Sequence, residues 1–144
     1  MSSPPHMMLE NQICLSLYSA TNALIRAYRP FLDPLDLTYP QYLVMLAIWD
    51  ADNMSVTDIC RATRLDTGTV TPLLKRLEAK GLIYRKRSAE DERRRVISLT
   101  ESGELLRAPA SKVPGQMACL NAVSIEEAKQ IKLLAEKMYQ NIKI

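Results

Sequence analysis

Residues 55–99 constrain the fold more than any other part of the chain. Ser55 and Asp58 have the spacing of a capping box and open a short amphipathic helix, and Asp66 is placed to cap a second helix that Gly81 stops. Beyond the glycine, residues 82–86 and 96–99 have the composition of short strands on either side of a polar stretch. Two helices joined by a tight turn and followed by a hairpin predict a helix-turn-helix with a wing.

The second of these helices has two different faces. Its apolar face is predicted to pack inward and consists of Val70, Leu73, Leu74 and Leu77. The opposite face is small at one end and cationic at the other, and carries Gly68, Thr71, Pro72, Lys75 and Arg76, with Thr67 and Thr69 nearer its flanks. Small hydroxyl side chains let a helix enter a major groove and bond to base edges, while Lys and Arg hold phosphates or guanine. This helix is therefore predicted to read DNA.

Pro72 allows two interpretations of where that helix begins. A proline inside a helix removes one backbone hydrogen bond and clashes with the preceding turn, so local rules permit a start at Thr71. The capping position of Asp66 favours the earlier start. We predict the earlier start, with a local distortion at Pro72.

Basic residues are concentrated in and after this helix. Residues 75–95 contain nine of the 19 Lys and Arg residues and only four acidic ones, although the whole chain has a net charge of only +3. A basic cluster by itself fits either a solvated surface or a nucleic-acid contact, and its position on a helix and wing favours DNA. The acidic Glu90, Asp91 and Glu92 are expected to hold the wing arginines extended for a minor groove. The candidate DNA contacts of the wing are Arg85, Arg87, Asp91, Arg93, Arg94 and Arg95.

The segments outside residues 55–99 also show helical spacing. Residues 8–28 are predicted to form a long first helix that Pro30 and Pro34 end, and residues 38–49 a second with proline in its first turn. Thr100 starts a further helix. Three helix breakers, Pro109, Pro114 and Gly115, then predict an irregular or mobile region around Cys119, and Ser124 and Glu127 form a capping box that opens the last helix.

The one-sided apolar helices at both ends predict a homodimer. A small domain has little core left for them to cover, so we expect them to pack against a second copy, although they would alternatively fold back on their own domain. The predicted organisation is a single domain over residues 1–144. Within it, residues 8–36 and 100–144 supply dimerisation helices, and residues 37–99 form the winged DNA-binding region. The fold class is mainly α with a small β-wing.

Composition excludes several other classes of protein. The longest apolar run, residues 42–49, is much shorter than the roughly 20 residues of a membrane span, and the amino terminus lacks the basic and apolar regions of a signal peptide. A cytoplasmic protein without membrane contact is expected. Three cysteines without a C-x-x-C pair and a single histidine provide too few zinc ligands, so no metal or cofactor is expected and cysteine chemistry would be redox.

Taken together, these motifs resemble the MarR family and, within it, the organic-hydroperoxide-sensing repressors of the OhrR type. The resemblance covers about residues 9–120 and rests on three motifs. They are Leu-Thr-Tyr-Pro-Gln-Tyr at 37–42, Leu-Asp-Thr-Gly-Thr-Val-Thr-Pro-Leu-Leu-Lys-Arg-Leu-Glu at 65–78, and Arg-Ser-Ala-Glu-Asp-Glu-Arg at 87–93. It implies a dimeric winged-helix repressor of a pseudo-palindromic operator, not an enzyme. The family's Asp-x-Arg wing signature falls on Asp91 and Arg93, which makes Arg93 the first choice for the minor groove.

The same resemblance implies a peroxide sensor. The sensing cysteine of such repressors aligns with Cys14, the tyrosines that hydrogen-bond it align with Tyr28 and Tyr39, and the second thiol of the two-cysteine kind lies near Cys119. An organic hydroperoxide would oxidise Cys14 to a sulfenic acid, which would form a disulfide with Cys119 and release DNA. Tyr28 lies fourteen residues beyond Cys14 in one predicted helix, which is roughly 21 Å. Tyr28 is therefore expected to reach that thiol only from the other subunit.

Two alternative functions remain at this stage. A repressor of the same family that responds to a small phenolic or aromatic ligand would leave Cys14 inert. A thiol peroxidase would consume hydroperoxides catalytically, but it has no use for nine basic residues in a 21-residue segment.

Overall fold

A computed structural model describes residues 2–91 and 93–142 of the chain. The chain divides into two compact units, Met1–Val113 and Pro114–Ile144. The described helices are α1 (Ile13–Leu32), α2 (Tyr39–Asp50), α3 (Val56–Thr63), α4 (Thr67–Ala79), α5 (Glu101–Leu105), α6 (Arg107–Ala110), α7 (Val113–Ala118) and α8 (Ile125–Ile142). The described strands are β1 (Met54–Ser55), β2 (Ile83–Arg87) and β3 (Arg95–Leu99).

The strands form an antiparallel sheet in the order β1-β3-β2. The predicted hairpin is confirmed, and β2 pairs with β3 from Ile83 opposite Leu99 to Arg87 opposite Arg95. The sequence interpretation missed β1, whose Met54 pairs with Ile97. Two residues are too short for alternation of polar and apolar side chains to be visible in a sequence. The predicted fold class, a winged helix with a small β component, is confirmed.

The hydrophobic core lies where α2, α3 and α4 meet the sheet. The predicted inward face of α4 is confirmed, because Val70, Leu73, Leu74 and Leu77 are all buried. The Trp49 indole Nε1 donates a buried hydrogen bond of 2.9 Å to the backbone oxygen of Gly103. The other elements contribute Tyr42, Val44, Met45, Ile48, Ile59, Ile83 and Ile97.

The predicted bounds of the first helix are wrong at both ends. Residues 5–7 and 9–11 form separate 3-10 turns, and α1 begins only at Ile13. The amide of Gln12 donates to the backbone oxygens of His6 and Met8, and such local bonds compete with regular helix. At the other end α1 continues through Pro30 to Leu32. Leu32 is 2% exposed, and its burial offsets the one backbone bond that Pro30 removes.

The prediction of an irregular region around residue 119 is also wrong in part. Pro109 lies within the short helix α6, and Pro114 and Gly115 lie within α7, which runs to the residue before Cys119. Both prolines occupy first-turn positions, where a backbone N–H has no partner inside the helix and its loss costs little. Cys119 itself is in the turn that follows α7.

Pro72 does not interrupt the helix that contains it. Helix α4 starts at Thr67, and the Asp66 side chain accepts a 2.7 Å hydrogen bond from the backbone nitrogen of Thr69. The predicted earlier start is therefore confirmed. The cap and the burial of Val70 both favour helix before the proline, and together they override the local preference.

The last helix, α8, has no buried residue, although apolar side chains recur along it. Its predicted opening is confirmed, because Ser124 Oγ accepts a 3.1 Å hydrogen bond from the backbone nitrogen of Glu127. Ile131 and Leu134 are 53% and 63% exposed.

In the part of the chain that the structure describes, no helix is long and apolar enough to cross a membrane.

Candidate nucleic-acid interface and thiol site

The helix-turn-helix is fixed by a cap at the start of each of its helices. Ser55 and Asp58 form the reciprocal capping box that the sequence predicted for α3. The hydrogen bonds from Ser55 lower the pKa of the Asp58 carboxyl, so it is ionised and an effective acceptor at neutral pH. Arg64 takes the left-handed conformation that ends α3, with φ of 59°. The three-residue turn 64–66 then leads into α4, which packs against α3.

The outward face of α4 carries the residues that the sequence predicted for base and phosphate contacts. Thr71 is half-buried. The exposed residues of this face and its flanks are Thr67, Gly68, Thr69, Pro72, Lys75 and Arg76. A strip of short side chains that ends in two cations is compatible with the depth and charge of a major groove.

The wing places like charges opposite each other. Arg87 is the direct partner of Arg95 in the β2–β3 register, and both side chains are exposed. Like charges at facing positions destabilise a hairpin unless an anion lies nearby.

The Asp91 carboxylate accepts a 3.0 Å hydrogen bond from the backbone nitrogen of Arg93 and so holds the turn that carries Arg93 and Arg94. The predicted ion-pairing role of Glu92 lies outside the described residues.

Arg85 is already engaged within the protein. Its guanidinium donates two hydrogen bonds to the Glu78 carboxylate, at 3.1 and 2.9 Å, and its backbone nitrogen donates a third at 3.1 Å. These bonds tie the last turn of α4 to β2. Arg85, which the sequence predicts as a DNA contact, therefore also orients the wing relative to α4. Helix α4 is the predicted DNA-reading helix and is called the recognition helix below. Sequence reasoning missed Glu78, because a pair between a helix end and a strand follows no periodic pattern.

The Glu78–Arg85 pair gives a testable dependence of stability on pH. The hydrogen bonds from Arg85 lower the pKa of the Glu78 carboxyl. The pair therefore stabilises the fold fully above the ordinary carboxyl pKa of 4.5, and this contribution is lost as the pH falls through the lower folded value. Urea unfolding of Glu78→Gln is expected to show a smaller loss of stability below pH 4.5 than the wild type.

A matched control for this prediction is Glu104→Gln. Glu104 pairs with Arg107 at 3.6 Å with both side chains more than half exposed, a geometry that contributes little. Parallel acid profiles for wild type and Glu78→Gln would contradict the role assigned to the pair.

Tyr28 and Tyr39 lie against each other in one aromatic cluster. Their ring centroids are 4.9 Å apart, and Tyr42 completes the cluster at 5.9 Å from Tyr28. Burial, followed by the nearby Tyr28, raises the pKa of Tyr39, and burial is also the main cause that raises the pKa of Tyr42. Both therefore remain neutral hydrogen-bond donors at physiological pH. The sequence did not predict a role for Tyr42, which is the first residue of the apolar run 42–49.

Cys14 does not meet these tyrosines within one protomer. It lies in the first turn of α1, in the same continuous helix as Tyr28. The fourteen intervening steps correspond to about 21 Å. The Cys14 side chain is exposed. Large apolar side chains are exposed along α1, from Ile13 next to Cys14 at 62% to Tyr18 at 71% and Leu24 at 51%.

The other cysteines lie in different surroundings. Cys119 is exposed in the turn after α7. Cys60 is partly buried in α3, and its Sγ lies 3.8 Å from Thr67 Oγ1 at the start of the recognition helix. Among the described residues, no group of three or more His, Cys, Asp and Glu side chains is arranged to hold a metal ion.

Comparison with known proteins assigns this architecture to a family. The family model described as "Transcriptional regulator SarA/Rot" matches residues 26–107. The chain belongs to the SarA/Rot and MarR type of winged-helix transcriptional regulators. It is 48% identical over 127 residues to the organic hydroperoxide resistance transcriptional regulator of Bacillus subtilis (strain 168), across 88% of this chain and 86% of that protein.

Two solved structures of one regulator, AbfR, are also similar. Reduced AbfR bound to DNA superimposes with a TM-score of 0.81 and 31% identity, covering 96% of this chain and 94% of that one. Disulfide-formed AbfR superimposes with a TM-score of 0.65 and 30% identity, covering 96% and 92%. AbfR is a protein of Staphylococcus epidermidis.

Proposed function

We propose that this chain is a homodimeric DNA-binding repressor that organic hydroperoxides release from its operator by oxidising Cys14. The single observation that carries the proposal is the position of the Tyr28–Tyr39 pair. These two phenols lie together on α1 and α2, and about 21 Å of helix separates Tyr28 from the thiol of its own chain. In a dimer the two phenols would donate hydrogen bonds to the Cys14 thiol of the second copy, so the sensor would be complete only in a dimer.

The dimer itself is supported by unpartnered apolar surface at both ends of the chain. Exposed apolar side chains follow α1 and recur along α8, and a soluble monomer rarely leaves such faces uncovered. In the proposed organisation, residues 8–36 and 100–144 supply the dimerisation helices of a single domain. Residues 37–99 then present one winged module per copy, so that two recognition helices enter successive major grooves about one DNA turn apart.

The proposed chemistry needs a thiolate and two hydrogen-bond donors. The Cys14 thiolate attacks the terminal peroxide oxygen and the O–O bond breaks, which leaves a sulfenic acid on Cys14. The departing alkoxide takes a proton from solvent and leaves as the alcohol. The Cys119 thiolate of the second copy then attacks that sulfur, the S–O bond breaks as the S–S bond forms, and the hydroxide takes a proton from solvent and leaves as water. Tyr28 and Tyr39 donate hydrogen bonds to the thiolate, and the exposed apolar side chains of α1 accommodate the organic part of the peroxide.

The relatives support the two halves of this proposal separately. The Bacillus subtilis relative is named for organic hydroperoxide resistance, and the AbfR structures include a reduced form on DNA and a disulfide form. The outward face of α4 and the arginine-rich wing supply the side chains for the DNA half. The exposed thiols of Cys14 and Cys119 supply the redox half.

Non-reducing gel electrophoresis tests the disulfide directly. Wild type treated with one equivalent of cumene hydroperoxide is expected to migrate as a covalent dimer, and Cys14→Ser and Cys119→Ser are expected to remain monomers. Cys60→Ser serves as the matched control and should still form the dimer. A covalent dimer that persists in Cys119→Ser would contradict the assigned pairing.

Arg93→Ala tests the proposed wing contact. Loss of one cation at a phosphate or in a minor groove is expected to weaken DNA binding and to reduce the salt slope of log K by about 1. Titrations at several salt concentrations, on a duplex selected by the reduced protein from a random library, measure both quantities. Lys129→Ala, on α8, controls for loss of charge. An unchanged slope with unchanged affinity would remove Arg93 from the interface.

A cavity beside Tyr39 favours one alternative function. It has a volume of about 230 Å³ and is lined by Ile25, Arg29, Leu32 and Tyr39 among others. The cavity is also lined by Asp33, so its apolar wall carries one guanidinium and one carboxylate. Such a lining suits a small neutral phenol, which would release the repressor without oxidation. Release of Cys14→Ser from DNA by such a compound, with no response of the wild type to peroxide, would favour this alternative.

A further inference from the structure

Lys80 connects the end of the recognition helix to the turn before α2. Its ammonium donates hydrogen bonds to the backbone oxygen of Asp36 and, at 3.2 Å, to Oε1 of Gln41. It also lies 3.5 Å from the Asp36 carboxylate, and its side chain is only 29% exposed. Holding a lysine side chain in a single conformation costs rotamer entropy, so three acceptors around one ammonium define a specific link between two elements.

The acceptor on Gln41 also holds the cap that positions Tyr39. Gln41 Oε1 accepts a 3.0 Å hydrogen bond from the backbone nitrogen of Thr38, and Thr38 Oγ1 accepts one of 3.3 Å from the backbone nitrogen of Gln41. Gln41 is 2% exposed. Tyr39 is the first residue of the helix that this cap opens, and its ring packs on Tyr28. Gln41 Oε1 therefore accepts one hydrogen bond from Thr38, next to Tyr39, and another from Lys80, at the end of the recognition helix.

We propose that Lys80 and Gln41 are positioning residues that transmit the state of the tyrosine site to the recognition helix. The inference rests on the proposed function, because the transmitted event is oxidation of Cys14, the thiol to which Tyr28 and Tyr39 donate hydrogen bonds. When the phenols lose their thiolate partner, the cap at the start of α2 shifts, and Lys80 moves the end of α4 with it.

Direct packing between α2 and α4 is a poorer route for this signal. The two helices also meet through apolar side chains of the core. Apolar contacts have no preferred direction and allow small sliding movements, whereas hydrogen bonds weaken steeply when their geometry changes. The ammonium link therefore adds a directional contact between the two elements that the apolar core does not supply.

Three substitutions separate this role from charge and from folding. Lys80→Met keeps the length of the side chain and removes its donors. Lys80→Arg keeps a cation that donates to the same acceptors. Lys112→Met removes one exposed lysine from the same compact unit and serves as the matched control.

The first readout is the ratio of the operator Kd of peroxide-treated protein to that of reduced protein. Lys80→Met is expected to lower this ratio about fivefold or more, the scale of a typical coupling between sites. Lys80→Arg and Lys112→Met are expected to stay within about twofold of the wild-type ratio. A wild-type ratio in Lys80→Met would overturn the inference, because a merely structural lysine would change both affinities equally.

The second readout uses only reduced protein, so it is independent of the redox proposal. The amides of Lys80 and Gly81 donate to the carbonyls of Arg76 and Glu78 at the end of α4. Tyr39→Ala is expected to accelerate hydrogen exchange of these amides about fivefold when Lys80 is present, and to have no such effect in the Lys80→Met background. Equal acceleration in both backgrounds would overturn the inference. A wild type that keeps its affinity after oxidation would instead refute the proposed function, and the exchange result would still decide the link.

Discussion

Gly103→Ala is expected to destabilise the fold by about 3 kcal/mol or more, a large part of the stability of a domain of this size. A β-carbon at Gly103 would lie 2.0 Å from the backbone oxygen of Leu82 and 3.1 Å from a methyl group of Leu99. Backbone cannot rotate away as a flexible side chain does, so the strand or α5 must shift. The same shift would break the buried bond from Trp49 to the Gly103 oxygen.

Urea unfolding followed by Trp49 fluorescence measures this effect. Gly115→Ala is the matched control, because a β-carbon there meets nothing within 4 Å and the residue lies in a helix. Alanine in a helix is favoured over glycine by up to about 1 kcal/mol, so the control is expected to be neutral or stabilising. Equal unfolding midpoints for the two variants would contradict the packing described between α5 and the sheet.

Cys14→Ser is expected to bind the operator as tightly as reduced wild type and to lose its response to organic hydroperoxide. Serine is close in size to cysteine and does not form a sulfenic acid. Wild type is expected to lose about 30-fold or more in affinity on oxidation, within the usual range of coupling between two sites. Fluorescence anisotropy titrations of a labelled operator, with and without cumene hydroperoxide, measure both proteins.

Two further cysteine variants make the result specific. Cys60→Ser is expected to respond as wild type does, since its sulfur lies against Thr67 and is only partly exposed. Cys119→Ser should still oxidise at Cys14 but should not form the disulfide. Full release of Cys14→Ser by peroxide would assign the sensing to another residue.

The elements that carry their own local signals were predictable from the sequence. The caps at Ser55 and Asp66 and the stop at Gly81 each depend on a residue type with one strong preference, and they fixed α3, α4 and the start of the wing. The amphipathic face of α4 was visible because burial repeats at helical spacing. These signals outweighed Pro72, which favours a different start when considered alone.

The features that were missed depend on pairing between distant residues. The two-residue strand β1 exists only because Met54 and Ser55 pair with β3. The link from Lys80 to Gln41 spans 39 positions and has no periodic pattern. Pro30, Pro109 and Pro114 ended helices in the prediction and lie inside helices in the structure, because burial or a first-turn position removes most of their cost.

The site was predictable only through resemblance to a family. Spacing alone shows that Cys14 and Tyr28 cannot meet along one helix, and it does not show that they meet at all. What the structure adds is the tilted ring contact between Tyr28 and Tyr39, which brings two phenols together.

The measurement that tests the central claim most directly is a titration of one operator with one wild-type sample in three states. These are the reduced protein, the protein after graded additions of organic hydroperoxide, and the same protein after reduction with dithiothreitol. Mass spectrometry determines the oxidised fraction of Cys14 at each step. We expect the bound fraction of DNA to fall in proportion to oxidised Cys14 and to return on reduction. DNA binding that stays constant while Cys14 becomes fully oxidised would contradict the account.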